Sequence, residues 1–298
     1  MDDFISIVLP TYNRGEILLE VLPCYLRQKY VREIIIVDDF CTDNTEDLVK
    51  GYICNSNKIR YIKNDRMFSS LETVNIGIEN STGSHIFIGE DDIEPSDSHL
   101  ETLYRHMQKE DADIISGRRI WGRMNESRQD ALVRANRSKG ILIDYKTLLT
   151  NFQLNSEDDE STYLLDACIL MKREVFDNVR FDSKLFRDPV AWRGETDFQL
   201  SAVEKGYKLV FCPHTYCYHR PRRYKNILQS IKYDFNAFKN NYLLLRKHRD
   251  LINSNFEVKS IALIFLFCLF RIFKENFLIF AGTLKRSMIR FFSGNKHK

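Results

Sequence analysis

Apolar positions along this chain change their period again and again. Phe4–Leu9 is a short β-branched run closed by Pro10, and Gly15–Gln28 then carries Ile17, Leu18, Val21, Leu22 and Leu26 at helical spacing. The alternation repeats. Glu33–Val37 reads as a strand, Thr42 or Asp43 caps a helix running through Asp47 and Val49, Ile59–Ile62 is a strand and Ser69–Glu79 a helix. His85–Ile88, the helix Ser96–Lys109 and the strand Asp113–Ser116 continue the series. Such short strands alternating with helices predict an α/β fold whose mostly parallel sheet is covered on both faces. Right-handed crossovers put the strand C-termini along one edge, where ligands of open α/β sheets bind.

The second half is less regular. Leu164–Met171 and Leu209–Cys212 are strand candidates, Phe181-Asp182 a turn, and Asn155–Ser161 (NSEDDES) reads as a solvated acidic loop and nothing more. The 298 residues are 44% hydrophobic with only 12 Gly and 6 Pro, which excludes disordered, collagen-like and low-complexity chains. A net charge of +3 marks neither a nucleic-acid binder nor an acidic scaffold, but it hides a split. Residues 221–298 hold 16 Lys and Arg against 4 Asp and Glu, a net +12, which leaves residues 1–220 at −9. Seven scattered cysteines, without CxxC or zinc spacing, read as thiols of a reducing cytosol. The acidic MDDFISIVLP start lacks the basic region of a signal peptide, so a cytoplasmic protein is expected.

The loops after the strands hold the chemistry. Pro10-Thr11-Tyr12-Asn13-Arg14 follows the first, Asp38-Asp39 the second, Asn64-Asp65-Arg66 the third and Glu90-Asp91-Asp92 the fourth. Single Asp or Asn residues commonly cap helices and start turns, but here three of four loops send carboxylates to one crevice. Clustered carboxylates repel one another unless a cation joins them, and hard oxygen ligands suit Mn²⁺ or Mg²⁺. With no GxxxxGK[ST] and no GxGxxG, a diphosphate here is neutralised by the metal rather than cradled by glycines.

In these strings the chain resembles glycosyltransferase family 2. The matching segments are VLPTYNR (Val8–Arg14), IIIVDDFCTDNT (Ile34–Thr45), VNIGIENSTGSHIFIGEDDIEP (Val74–Pro95), ACILMKREVFDNVRFDSKLF (Ala167–Phe186) and WRGETDF (Trp192–Phe198), which together cover roughly residues 4–220. The resemblance implies a GT-A fold, a Rossmann-like sheet flanked by helices, and inverting transfer from a nucleotide-sugar. Carried onto this chain, it places Pro10, Thr11 and Asn13 around the nucleoside and Asp39, or alternatively Asp38, at the base. Asp91 falls near the ribose or diphosphate, and Asp92 is the metal ligand of the DxD-like motif. Glu90 stands where most relatives have Asp, Phe40 where glycine is usual, and Val74 where relatives often carry Arg, so that Arg14 or Arg66 takes over a phosphate or base contact. Glu195 is the implied base, with Asp197 as its alternative; read without the family, both are acids at a helix N-terminus. His219 is implied as a metal or diphosphate ligand; Arg220, Arg222 and Arg223 are read from their charge as phosphate partners or as the start of a membrane-facing patch.

Ile261–Phe270 is ten apolar residues, short of the ~20 that span a bilayer. On a helix, Leu266, Leu269, Phe270, Phe273, Phe277, Phe280 and Leu284 form one face, with the mainly basic stripe Arg271, Lys274, Glu275, Lys285 and Arg286 opposite. That pattern suits a helix lying on an anionic membrane surface, or one packing on protein, including a second copy. The resulting expectation has two domains. Residues 1–223 form the GT-A domain (1–115 donor half, 116–223 acceptor half), and 224–298 form a helical extension that docks the protein at the cytoplasmic face of a membrane. UDP-sugar is the expected donor, a lipid-linked saccharide or surface-glycan precursor the acceptor, and nucleic acid is not a partner. The alternatives are a sugar nucleotidyltransferase and an inactive nucleotide-sugar-binding scaffold.

Overall fold

Strands without polar alternation belong at the centre of a sheet covered on both sides, and the runs Ile5–Leu9 and Ile34–Val37 take that place. The computed structural model describes residues 3–53, 56–146, 148–187, 193–221, 236 and 239–256. Its first half alternates β1 (Ile5–Thr11), α1 (Gly15–Leu26), β2 (Val31–Asp38), α2 (Thr45–Ile53), β3 (Ile59–Lys63), α3 (Ser70–Glu79) and β4 (His85–Ile88). β5 (Ile93–Pro95), α4 (His99–Glu110), β6 (Ile114–Trp121), α5 (Arg128–Ala135), the two-residue strands β7 (Ile143–Asp144) and β8 (Leu149–Thr150), and β9 (Glu160–Thr162) come next. β10 (Ile169–Lys172), α6 (Arg173–Asn178), α7 (Gly194–Glu204), β11 (Leu209–His219) and α8 (Arg249–Asn255) complete the described elements.

The main sheet runs β3-β2-β1-β4-β10-β6-β11-β5, with β9 also on β11. β3, β2, β1 and β4 are parallel, β10 is antiparallel to both neighbours, and β6 with β11 is parallel again. Ile5, Ile7, Leu9, Ile34, Ile36, Phe87 and Leu170 pack with Leu18, Leu22 and Tyr25 of α1 and Leu100, Leu103 and Met107 of α4 in the main core. Local signals set the helix starts. Ser69 Oγ accepts from Glu72 N at 3.3 Å, and Asp43 Oδ1 accepts from Thr45 N at 3.1 Å.

Three features depart from the expected pattern. β6 and β11 run well past Ser116 and Cys212, because each satisfies the other's ladder up to the pair His219↔Trp121, which no local propensity announces. β11 also bulges: Cys212 pairs with Gly117 and Tyr216 with Arg118, so Pro213, His214 and Thr215 leave the ladder. The NSEDDES segment is not merely solvated. Glu160–Thr162 pairs with Leu209–Phe211 of β11, and the Asp159 side chain is only 2% exposed.

The chain divides into two compact units, Met1–Ile143 with Thr150–Arg222, and Asp144–Leu149 with Arg223–Lys298. Within the second, the Tyr145 and Phe256 rings meet in a tilted contact, centroids 5.0 Å apart. Trp192, Arg222, Arg223, Cys54, Cys268 and the amphipathic stretch from Ile261 onward lie outside the described residues. Among the described residues, no helix is long and apolar enough to cross a membrane. Cys24, Cys41, Cys168, Cys212 and Cys217 are free thiols.

Candidate active site

Parallel β1, β2 and β4 end side by side, so their C-terminal loops converge. Asn13, left-handed at φ 51°, ties the first loop to the second: its Oδ1 accepts from Thr42 N at 2.8 Å, and its backbone N–H donates to Cys41 Sγ at 3.0 Å. Pro10 sits half-buried in register with Val37, and Thr11 donates from Oγ1 to Asp91 Oδ2 at 2.9 Å. Arg14 spans the acidic loop, with Nη1 at 2.8 Å from Asp91 Oδ1 and 3.2 Å from Asp92 Oδ2. Burial works against charge on Arg14, yet the two carboxylates outweigh it and its pKa is raised. Burial raises the Asp91 pKa, and the nearby Arg14 and Thr11 oppose that shift without reversing it.

The two aspartates after β2 have different duties. Asp38 is fully buried; its Oδ1 accepts from Cys41 N at 2.5 Å and its Oδ2 from the Tyr61 hydroxyl, so both oxygens shape the loop. Asp39 accepts through Oδ1 alone, from Asn64 Nδ2 at 3.1 Å and Phe68 N at 2.8 Å. Its Oδ2 has no hydrogen-bond partner among the described residues. Arg66 is exposed, with its guanidinium 4.9 Å over the Phe68 ring beside Asp39.

Register brings His219 to the acidic loop. β5 directly follows Asp92, and its antiparallel ladder pairs Ile93 with His219 at the end of β11. His219 Nε2 lies 3.8 Å from Asp92 Oδ1, while its Nδ1 contacts the Arg220 carbonyl at 2.8 Å. In the neutral ring that contact requires a proton on Nδ1, which turns the Nε2 lone pair toward Asp92, as in metal-ligating histidines. Glu90, Asp92 and His219 offer ligand atoms within 4.8 Å of one another, a donor set that fits a divalent cation.

Glu90 is also held from behind. Arg119, with a side chain only 4% exposed, grips Glu90 through Nη1–Oε1 and Nη2–Oε2 contacts of 2.8 Å each, and reaches Asp166 at 2.8 Å. Burial opposes its charge, but Asp166 and Glu90 hold its pKa well above the ordinary value. Tyr25 accepts from Glu90 N and donates to Glu90 O at 2.9 Å, fixing the loop backbone. Arg119, Asp166 and Tyr25 escaped the sequence reading. The available signal was the pair Arg118-Arg119 inside an otherwise apolar run, hidden by ending the strand at Ser116.

Glu195 and Asp197 open α7, where Gly194 packs so tightly that a Cβ would lie 2.3 Å from Leu71 Cδ1. Asp197 is fully buried. Glu195 is half-buried beside Glu90, Asp166 and Arg119; burial, reinforced by the two acids, raises its pKa to about 7. A carboxylate with that affinity accepts a proton near neutral pH.

Comparison with known proteins gives the family and the fold. The profile of glycosyl transferase family 2 matches residues 6–180. The chain belongs to that family. GlyG, a glycosyltransferase of Streptococcus pneumoniae serotype 4, is 29% identical over 193 residues, 61% of each chain. TarP of Staphylococcus aureus, a poly(ribitol-phosphate) β-N-acetylglucosaminyltransferase, is 24% identical over 61% of this chain and 53% of its own. This family 2 member thus spans about three fifths of the length of such relatives. S. aureus TarS 1-349 in complex with UDP-GlcNAc superposes with a TM-score of 0.59 at 12% identity, over 87% of this chain and 69% of that one. The mannosyltransferase PcManGT from Pyrobaculum calidifontis, in complex with GDP-Man and Mn²⁺, superposes at 0.60 and 15%, over 83% and 65%. The fold is therefore the GT-A fold of glycosyltransferases, as the motifs imply.

Proposed function

We propose that this family 2 protein is a metal-dependent, inverting glycosyltransferase that moves a sugar from a nucleoside diphosphate to an acceptor hydroxyl, with a UDP-sugar as donor. The observation that carries the reading is Glu195, whose pKa is raised to about 7 next to the Glu90–Arg119–Asp166 cluster. Inversion needs one base to take the acceptor proton while the diphosphate leaves from the opposite face. A single carboxylate suffices, because the leaving group is stabilised electrostatically and requires no acid partner. Glu195 is that base; fully buried Asp197 supports the start of α7.

Asp39 reads the base, since its Oδ2 accepts from no described residue and a carboxylate can accept from a pyrimidine N–H. Asp38 shapes the loop beneath it, with Pro10, Thr11 and Asn13 lining the nucleoside and Arg66 beside it. Asp92 and His219 would hold Mn²⁺ or Mg²⁺, which would supply positive charge to the departing diphosphate. Glu90 positions that loop through Arg119. Arg14, paired with Asp91 and Asp92 beside this site, is a phosphate partner for the donor.

A surface-glycan precursor or lipid-linked saccharide as acceptor is supported by two facts. The relative TarP is named for transfer to poly(ribitol-phosphate), and residues 221–298 carry +12, suited to an anionic membrane surface. The test is thermal stabilisation of the full chain by UDP, GDP and CDP, each with Mn²⁺, Mg²⁺ or EDTA, followed by sugar-release assays with the matching donors. Metal-dependent stabilisation by one diphosphate, UDP first, is expected. Stabilisation by none, or by triphosphates alone, overturns the proposal.

A further inference from the structure

The β11 bulge and the end of the NSEDDES segment meet at a second cluster, with no residue in common with the Glu90/Asp92/His219 group. His106 on α4, Asp159 before β9 and His214 in the bulge offer ligand atoms within 4.8 Å of one another. His106 Nδ1 lies 2.6 Å from Asp159 Oδ2, His214 Nε2 lies 3.8 Å from Asp159 Oδ1, and the two imidazoles stack at 4.7 Å. We propose that His106, Asp159 and His214 form a second cation site, selective for a transition ion of the Zn²⁺ class.

Three observations carry it. The Asp159 side chain is 98% buried, and its Oδ1, directed toward His214, has no hydrogen-bond partner among the described residues. Such an atom is costly to bury without a partner, and a cation bound there satisfies it. Second, ligand atoms on one tetrahedral Zn²⁺ lie about 3.4 Å apart, and the 2.6 and 3.8 Å separations straddle that value, so small side-chain shifts complete the site. Third, His214 is 38% exposed and borders a cavity of about 440 Å³, shared with Arg118, Asn155, Ser156 and Tyr216, which gives an ion an entry path.

The neighbouring charges are compatible. Lys109 Nζ, 3.7 Å from Asp159 Oδ2, belongs to a side chain 65% exposed that can swing into water. The fully buried Cys212 thiol, pushed up to about 12 by burial and then by Asp159, stays protonated beside the cluster. Two imidazoles and one carboxylate suit Zn²⁺ or Co²⁺, whereas the oxygen-richer group at β4 suits Mn²⁺ or Mg²⁺. The two sites take histidines five residues apart on β11, His214 in the bulge and His219 at the strand end. An ion here fastens α4, β9 and the bulge together across two long chain loops, a structural clip independent of transfer chemistry.

The test uses the full chain, stripped with EDTA and desalted, with no nucleotide or sugar present. Titration with Co²⁺ should give one equivalent of a visible low-coordination band, displaced by Zn²⁺ and retained in excess Mn²⁺. Zn²⁺ at a hundredfold excess over Kd should raise Tm by roughly 5 °C. His214→Ala, at a half-exposed position, and Asp159→Asn should each abolish band and shift while keeping the native circular dichroism spectrum. Asp92→Asn should leave both intact. A band that survives His214→Ala and disappears in Asp92→Asn overturns the proposal, as does the absence of band and thermal shift in the unaltered chain. In the latter case the cluster is a hydrogen-bonded clasp.

Discussion

Replacing Glu195 by Gln separates the cost of a buried base from its use. Unfolded, the Glu195 carboxyl ionises near its ordinary 4.5; folded, burial and the nearby Glu90 and Asp166 hold its proton up to about 7. Between those values the native state binds the proton and the unfolded state has lost it. Stability from this residue is therefore greatest below pH 4.5 and falls as pH rises to 7. At 1.36 kcal/mol per unit the loss is at most about 3 kcal/mol above pH 8, less whatever water relieves. Gln, neutral and of the same shape, avoids that loss. Urea unfolding of both proteins at pH 5 and pH 8.5 should show Glu195→Gln more stable by up to about 3 kcal/mol at the higher pH, with most of the difference gone at the lower. The variant should also melt on the order of 5 °C higher at pH 8.5. Transfer should fall by roughly 10²–10⁴-fold, while donor binding persists. An equal stability difference at the two pH values, or full activity in the variant, refutes the assignment of Glu195 as a base with a raised pKa.

Other consequences follow from the same cluster. In the unaltered enzyme, kcat/KM should rise with pH through a limb near 7 as Glu195 loses its proton, measured by donor consumption over pH 5–9. Arg119→Met leaves buried Asp166 and half-buried Glu90 without their counter-charge and should cost about 3–5 kcal/mol by urea unfolding, part of which Glu90→Gln on the same chain restores. Asp92→Asn should remove Mn²⁺-dependent stabilisation by nucleoside diphosphates, read as loss of the thermal shift. Tyr61→Phe strips Asp38 of one buried partner and should destabilise by about 1–3 kcal/mol, with the β2 loop loosened and UDP affinity lowered.

The sequence by itself determined the α/β alternation, the family, and the loops that meet at one sheet edge. Those features are written in local periodicity, in breakers such as Pro10, and in runs such as Val37-Asp38-Asp39 that depend only on neighbours in the chain. Glu195 too was legible as a candidate base, but not its proton affinity, since that depends on burial beside Glu90, Asp166 and Arg119, brought in from three other segments. Asp38 and Asp39 are adjacent and chemically identical in sequence; only tertiary placement gives the first Tyr61 and Cys41 as loop partners and the second Asn64 and Phe68, both on one oxygen. Arg119 and Asp166 stayed invisible because a buried charge is recognised by the partner that neutralises it, and Arg119 lies 29 residues from Glu90 and 47 from Asp166 along the chain. The acidic NSEDDES stretch reads as solvent-facing from composition. Pairing of Glu160–Thr162 with β11 instead draws Asp159 inward to His106 and His214, a decision made by sheet register, which no local pattern encodes.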